Sequence, residues 1–263
     1  MLCIHRKGIV PDVIIDTNDK KMNMSIKKIF GEYAAHEIEN ISSYKNFLYL
    51  DDKILERRMD SGGCAEKIQV LENIIFEQSR AKDNFFVFHG GGVAYKDELY
   101  LFLGKSTSGK STLTTFLINN GFKYISDDII PVNTEKNTAS SPGNPIMLRD
   151  GGLNVLKSCG IHIECEYCSE IERYLYMPEI DFDSQYTVKK IFFIERSAKN
   201  QIHSMNASDI LNAILINSKT KYTNIGIALK YIANLNKDNI KKIEYCSFEF
   251  ILEELMSTDK GNC

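Results

Sequence analysis

Eight consecutive residues, Gly104-Lys105-Ser106-Thr107-Ser108-Gly109-Lys110-Ser111, satisfy the pattern G-x-x-x-x-G-K-[ST]. The chemistry of such a segment follows from its residue types. Two glycines let backbone N–H groups curl around phosphate oxygens, and a helix starting at the second glycine adds its positive dipole end. Lys110 can reach the β- and γ-phosphates, and the Ser111 hydroxyl can ligate Mg²⁺. Thr112 continues the nucleotide-facing turn. The flanks suit this use. Leu99-Tyr100-Leu101-Phe102-Leu103 reads as an apolar strand entering the loop, and Leu113, Phe116 and Leu117 mark one face of a helix leaving it. Gly121 is a natural helix stop. A plain Gly/Ser-rich turn is the bland alternative; the flanking strand and helix favour nucleotide binding.

Asp127-Asp128 follows one helix and one short strand, Phe122 to Ile125. A right-handed strand-helix-strand unit predicts that this strand lies beside the loop's own strand, with both carboxyl ends at one edge. Two carboxylates would then face the phosphates. One could hold Mg²⁺ through water while the other accepts a proton from an attacking hydroxyl. Solvated turn aspartates are the alternative. His89 follows the strand-like run Phe85 to Phe88, and a lone histidine is more often structural than catalytic. Three glycines, Gly90 to Gly92, come next, and Val93 to Leu103 reads as a hairpin about Lys96-Asp97-Glu98.

This order of motifs, from His89-Gly90 through the hairpin and the Gly104–Ser111 loop to Gly121–Asp128, resembles the HPr kinase/phosphorylase superfamily. Pro142-Gly143-Asn144-Pro145 before a strand is similar to a segment of its shorter members in peptide-modification clusters, including lasso-peptide precursor kinases. The resemblance covers His89 to about Arg149. It implies a phosphoenolpyruvate-carboxykinase-like α/β fold, ATP and Mg²⁺, and transfer to a serine hydroxyl. Residue by residue, it implies nucleotide and metal roles for Lys110 and Ser111 and a general-base role for Asp127. Asp128 and His89 match neighbours in that site. The Glu-containing, Gly-rich second signature of the bifunctional enzymes does not follow the aspartates, so neither phosphorylase activity nor HPr as acceptor is implied. Arg149 and Arg173 are phosphate or acceptor contacts by position, or surface ion pairs.

The elements that must position these residues form an α/β layout: a mixed sheet flanked by helices, with an N-terminal extension. The expected division is residues 1–82 as the extension, either separate or part of the same domain, and 83–263 as the loop-bearing domain, with the boundary near Ala81-Lys82-Asp83-Asn84. The extension closes with a helix from about Ala65 to Arg80, entered through Gly62-Gly63, with Ile68, Leu71 and Ile75 on one face. Further on, Ile191 to Ile194 reads as a strand, and helices fit Ala207 to Asn217, Ile225 to Leu235 and Phe248 to Leu255.

A length of 263 residues with 43% hydrophobic and 25% charged content supports a sizeable core and excludes disordered and collagen-like classes. With 32 basic and 35 acidic residues, a net charge of −3 offers no general field for nucleic acid or an anionic membrane. No apolar run approaches the ~20 residues that span a bilayer. Charge at Arg6 and Lys7 argues against a secretory signal. Seven scattered cysteines read as reduced thiols of a cytoplasmic protein. Cys159, His162, Cys165 and Cys168 recur every third residue; a zinc site is weighed there, and incidental cysteines are favoured.

The expected function is transfer of the ATP γ-phosphate to a serine or threonine hydroxyl of a peptide or protein acceptor, such as a biosynthetic precursor. A small hydroxyl compound such as free serine is the alternative acceptor, and a non-catalytic nucleotide-binding regulator is the alternative class. A homo-oligomer is compatible with the sequence.

Overall fold

The structure, a computed structural model, describes residues 1–6, 8–31, 35–59, 64–78, 80–82, 84–218 and 225–257. It is mixed α/β. Gly62-Gly63 and Asp83, read above as punctuation, lie outside the described residues.

The N-terminal part holds β1 (Leu2–Ile4), β2 (Ile9–Val10), β3 (Asp12–Asp16), α1 (Lys20–Phe30), β4 (Ala35–Glu37), β5 (Phe47–Asp51), α2 (Asp52–Glu56), α3 (Cys64–Gln78) and β6 (Arg80–Ala81). Four of its strands make a sheet in the order β4-β1-β3-β5, and β2 pairs with β6. Asp19 and Asp51 cap α1 and α2 by accepting from Met22 N and Ile54 N. The α3 face expected from the spacing is the buried one: Ile68, Leu71 and Ile75 are all inside. Leu71 and Ile75 pack with Leu2, Ile4, Val13 and Ile15 in a core of their own.

The remainder runs β7 (Phe85–Tyr95), β8 (Glu98–Leu103), α4 (Lys110–Asn119), β9 (Lys123–Asn133), β10 (Thr138–Ala139), β11 (Ile146–Leu148), α5 (Asp150–Ser158), β12 (Glu166–Cys168), β13 (Arg173–Tyr176), β14 (Tyr186–Arg196), β15 (Gln201–Ser204), α6 (Ala207–Ile216), α7 (Ile225–Asn234), β16 (Ile240–Tyr245) and α8 (Phe248–Ser257). Seven strands form the main sheet, β10-β9-β7-β8-β14-β16-β15, with β10 also touching β14. A three-stranded sheet, β11-β13-β12, stands apart from it.

The β8 sequence explains why this sheet is covered on both faces. Leu99, Leu101 and Leu103 pack with Phe86, Phe88, Ile191, Ile210 and Ile214 on one side. Tyr100 and Phe102 pack on the other side with Leu113, Phe116, Leu117, Phe192, Phe248 and Ile251. A strand that is apolar at every position needs helices above and below it.

Two expectations change here. The strand bearing the aspartates does not lie beside the loop strand, because the β7–β8 hairpin takes one edge of β8 and β14 takes the other in parallel. β9 therefore pairs antiparallel with the far edge of β7, one strand removed from the loop. Nor do the aspartates end a short strand. β9 continues to Asn133, and β7 likewise runs unbroken through His89 and its three glycines. Helix ends differ from expectation by one or two residues.

Candidate active site

Helix α4 begins against the sheet because β7 has no side chain where it crosses. A Cβ on Gly91 would lie 2.3 Å from Thr114 Oγ1, so glycine here leaves room for the Thr114 hydroxyl of α4. In the β7–β9 ladder Gly91 stands opposite Asp127, and Gly90 opposite Asp128. The bare stretch of β7 thus brings the first turn of α4 onto the acids across one intervening strand.

The loop itself is tightly determined. Gly109 caps α4 with φ +92°, a left-handed conformation that favours glycine, and no side chain caps the helix. The first N–H groups of α4 therefore have no partner within the helix. A Cβ on Gly104 would lie 2.5 Å from Ile194 O of the neighbouring β14. Lys110 is only 9% exposed and donates to Gly104 O at 2.7 Å and Lys105 O at 3.0 Å, which ties its ammonium across the loop. Ser108 Oγ is buried with no hydrogen-bond partner among the described residues.

Adjacent residues on a regular strand point to opposite faces, so two successive aspartates should not share a cleft. Here they do. Asp128 has φ +91°, left-handed for a non-glycine residue, and a one-residue register shift precedes the pair, between the Gly92–Ser126 and Val93–Tyr124 pairings. Asp127 is 5% exposed; its carboxylate accepts from the Ser111 hydroxyl and, at 3.3 Å, from Met147 N. Burial pushes its pKa up to about 7, with the nearby Asp128 charge acting in the same direction against the Ser111 hydrogen bond. Asp128 is more open, and His89 Nδ1 lies 2.6 Å from its Oδ1.

These groups line a cleft of ≈ 470 Å³ that includes His89, Ser106, Thr107, Gly109, Lys110, Ser111, Thr112, Asp127 and Asp128. The predicted residues Gly104, Lys105 and Ser108 form the loop behind its wall. Arg149 and Arg173 also line the cleft, and Arg173 donates to the main-chain oxygens of Ile171 and Glu172. Arg149 heads α5, whose N-terminus also lacks a side-chain cap.

Several residues escaped sequence reasoning. Arg196, at the end of β14, lies in the cleft with its guanidinium carbon 4.8 Å from the Tyr245 ring centre and 4.5 Å from that of Phe248. Tyr245 OH in turn donates to Ser108 O at 2.6 Å. The signal available was a basic residue after an apolar strand; pairing of that strand with β8 was not legible. Asn144 donates to Asp127 O and accepts from Ser126 Oγ at 3.1 Å, which fixes the backbone under the acids. Glu72 of α3 is raised by burial and further by the Asp128 charge, so the N-terminal part brings a third carboxylate near the pair.

Among the described residues no group of three His, Cys, Asp or Glu side chains gathers to hold a metal, and this includes Cys159, His162, Cys165 and Cys168. Magnesium makes a different demand: one or two hard oxygen ligands from the protein, with nucleotide phosphates and water completing the set. Ser111 and Asp128 supply such donors in the cleft. The donors fit. No helix among the described residues is long and apolar enough to cross a membrane.

A solved structure of the Hpr(Ser) kinase/phosphatase from Coxiella burnetii is similar to this chain at 16% identity and a TM-score of 0.33, covering 66% of this chain and 95% of that one. No protein-family model matches the chain, and no curated protein matches it. The structural likeness is too slight to transfer a role to any residue.

Proposed function

We propose that the protein is a phosphotransferase that moves the γ-phosphate of ATP onto a serine or threonine hydroxyl of a peptide or protein. One observation carries this: a buried carboxylate with a pKa near 7 shares a cleft with a glycine-framed helix N-terminus that no side chain caps. A buried carboxylate within reach of a phosphate site can take the proton of an attacking alcohol.

The loop amides and the α4 N-terminus bind the phosphates, with Lys110 adding its charge. Arg196, stacked on Tyr245 and Phe248, holds a second cation against the loop. Asp127, ionised, takes the proton from the acceptor hydroxyl as that oxygen bonds to the γ-phosphorus. The bond from the γ-phosphorus to the β–γ bridging oxygen breaks, ADP departs with that electron pair, and Asp127 returns its proton to water. His89 and Asp128 hold each other beside the base, and Asp128 with Ser111 would hold Mg²⁺. When bound with the nucleotide, Mg²⁺ supplies charge neutralisation at the phosphate oxygens.

The test is mass spectrometry of serine-containing peptides, and separately of free serine, after incubation with ATP and Mg²⁺. A single phosphate on peptide is expected. Phosphate on free serine alone would move the acceptor to small hydroxyl compounds. Nucleotide binding with no transfer to either would leave a regulator.

A further inference from the structure

Two arginines of the cleft face each other across a strand pair, and the phosphate chemistry above uses neither. β11 and β13 pair antiparallel as Met147–Leu175 and Leu148–Tyr174, so the next step of the ladder sets Arg149 opposite Arg173. Both line the cleft. Directly opposed side chains of an antiparallel pair share a face, where two like charges repel.

Among the described residues no acid relieves this repulsion, because neither arginine forms an ion pair. Asp150, beside Arg149 in the chain, accepts from the Tyr174 hydroxyl instead. Arg173 Nη1 donates to Ile171 O at 3.4 Å and Glu172 O at 2.8 Å, which fixes one edge of its guanidinium at the start of β13. Two guanidinium groups held together in a cleft suit an oxyanion, a carboxylate or phosphate that accepts paired N–H groups.

Position tells which reactant brings that anion. Lys110 and Arg196 address the nucleotide from the loop, whereas Arg149 and Arg173 come from the small sheet beyond the acids. Met147 of that sheet donates its N–H to the Asp127 carboxylate at 3.3 Å, and Arg149 follows by two residues. Two residues of strand span roughly 7 Å. An anion held there lies on the sheet side of the base, and an acceptor must approach the γ-phosphorus from the side opposite the leaving ADP. We infer that Arg149 and Arg173 bind a carboxylate or phosphate carried by the acceptor close to its hydroxyl, so that the cleft selects anionic acceptors. This inference rests on the kinase reading above and names a feature of its acceptor.

The test uses the full chain and heptapeptides with one serine in a Gly/Asn background. Serine stands at the C-terminus as free acid or amide, or inside the peptide before aspartate, phosphothreonine or asparagine. In transfer from ATP with Mg²⁺, at least one acidic peptide should show a KM about tenfold below that of its neutral twin. The peptide that gains says whether the anion is a terminal carboxylate, a side-chain carboxylate or a phosphate. Arg149→Gln and Arg173→Gln should each bring that ratio to within about twofold, with the ATP dissociation constant unchanged. The rival role is contact with the nucleotide, since a Cβ on Gly152 in the first turn of α5 would lie 2.8 Å from Thr112 Oγ1. Loss of ATP affinity in either variant would establish that rival and overturn the acceptor subsite. Equal KM within every pair, or an acidic preference that survives both variants, would overturn it too and leave the kinase. If no peptide accepts phosphate, labelled peptides with alanine in place of serine decide by fluorescence anisotropy. Anion-dependent binding lost in both variants would then support the subsite and overturn the peptide-kinase reading; binding indifferent to the anion, or none, would overturn the subsite.

Discussion

His89 Nδ1 lies 2.6 Å from Asp128 Oδ1 and 3.1 Å from the Asp128 main-chain oxygen, so one imidazole grips both ends of a residue in a left-handed conformation. Holding a non-glycine residue there costs about 1–3 kcal/mol unless its surroundings enforce it. Asp128→Gly should therefore keep or raise the melting temperature while phosphate transfer falls about tenfold or more. Asp128→Val, with a β-branched side chain at the same φ, should destabilise by about 1–3 kcal/mol. Calorimetry beside a transfer assay separates the two effects.

Asp127 gives the fold a definite pH dependence. Burial raises its pKa from 3.8 to about 7, so between those values the folded chain keeps a proton that the unfolded chain has lost. The group's contribution is thus most favourable below 3.8 and is lost as pH rises to about 7. Asp127→Asn cannot ionise. Its stability advantage over the wild type should be absent in acid and grow to on the order of 4 kcal/mol by neutral pH, read from urea midpoints across that range. Transfer by the wild type should rise through the same window, because the base must be ionised.

Packing at Gly91 sets the distance from helix to acids. Gly91→Ala would press a methyl onto Thr114 Oγ1, so the hydroxyl or α4 must shift, at a cost of about 1–3 kcal/mol. Nucleotide affinity and transfer should fall together. Thr114 Oγ1 is buried without a partner among the described residues, so Gly91→Ala/Thr114→Ala should recover much of the loss. Nucleotide titration of both variants checks this coupling.

Arg196 is held by ring stacking as well as by charge. Arg196→Lys keeps the cation but loses the planar contact with Tyr245 and Phe248. It should weaken ATP binding about tenfold by calorimetric titration, with unfolding free energy changed by about 1 kcal/mol or less.

Local order explains what the sequence made legible. The loop, its entering strand, the α4 face and the buried face of α3 all follow from spacing, because each is set by neighbours within a few residues. Strand partners are not. The length of β7 and its two usable edges decide that β9 lies beyond it and that β14 flanks the loop, and these choices are made between distant segments. Asp127 and Asp128 were found as a pair for a reason that the strand rule opposes; the left-handed backbone at Asp128 that reconciles them leaves no mark in residue types. Arg196 lines the cleft, and Glu72 comes within electrostatic range of Asp128, only through tertiary packing, so nothing near them in the sequence singles them out.

The central claim is that Asp127 draws the proton while the glycine loop holds the nucleotide, two separable tasks in one cleft. Measuring ATP affinity and phosphate transfer side by side for wild type and Asp127→Asn tests it most directly. Transfer should drop about 10²–10⁴-fold with the ATP dissociation constant nearly unchanged. Equal transfer by the variant, or loss of ATP binding in step with transfer, would contradict it.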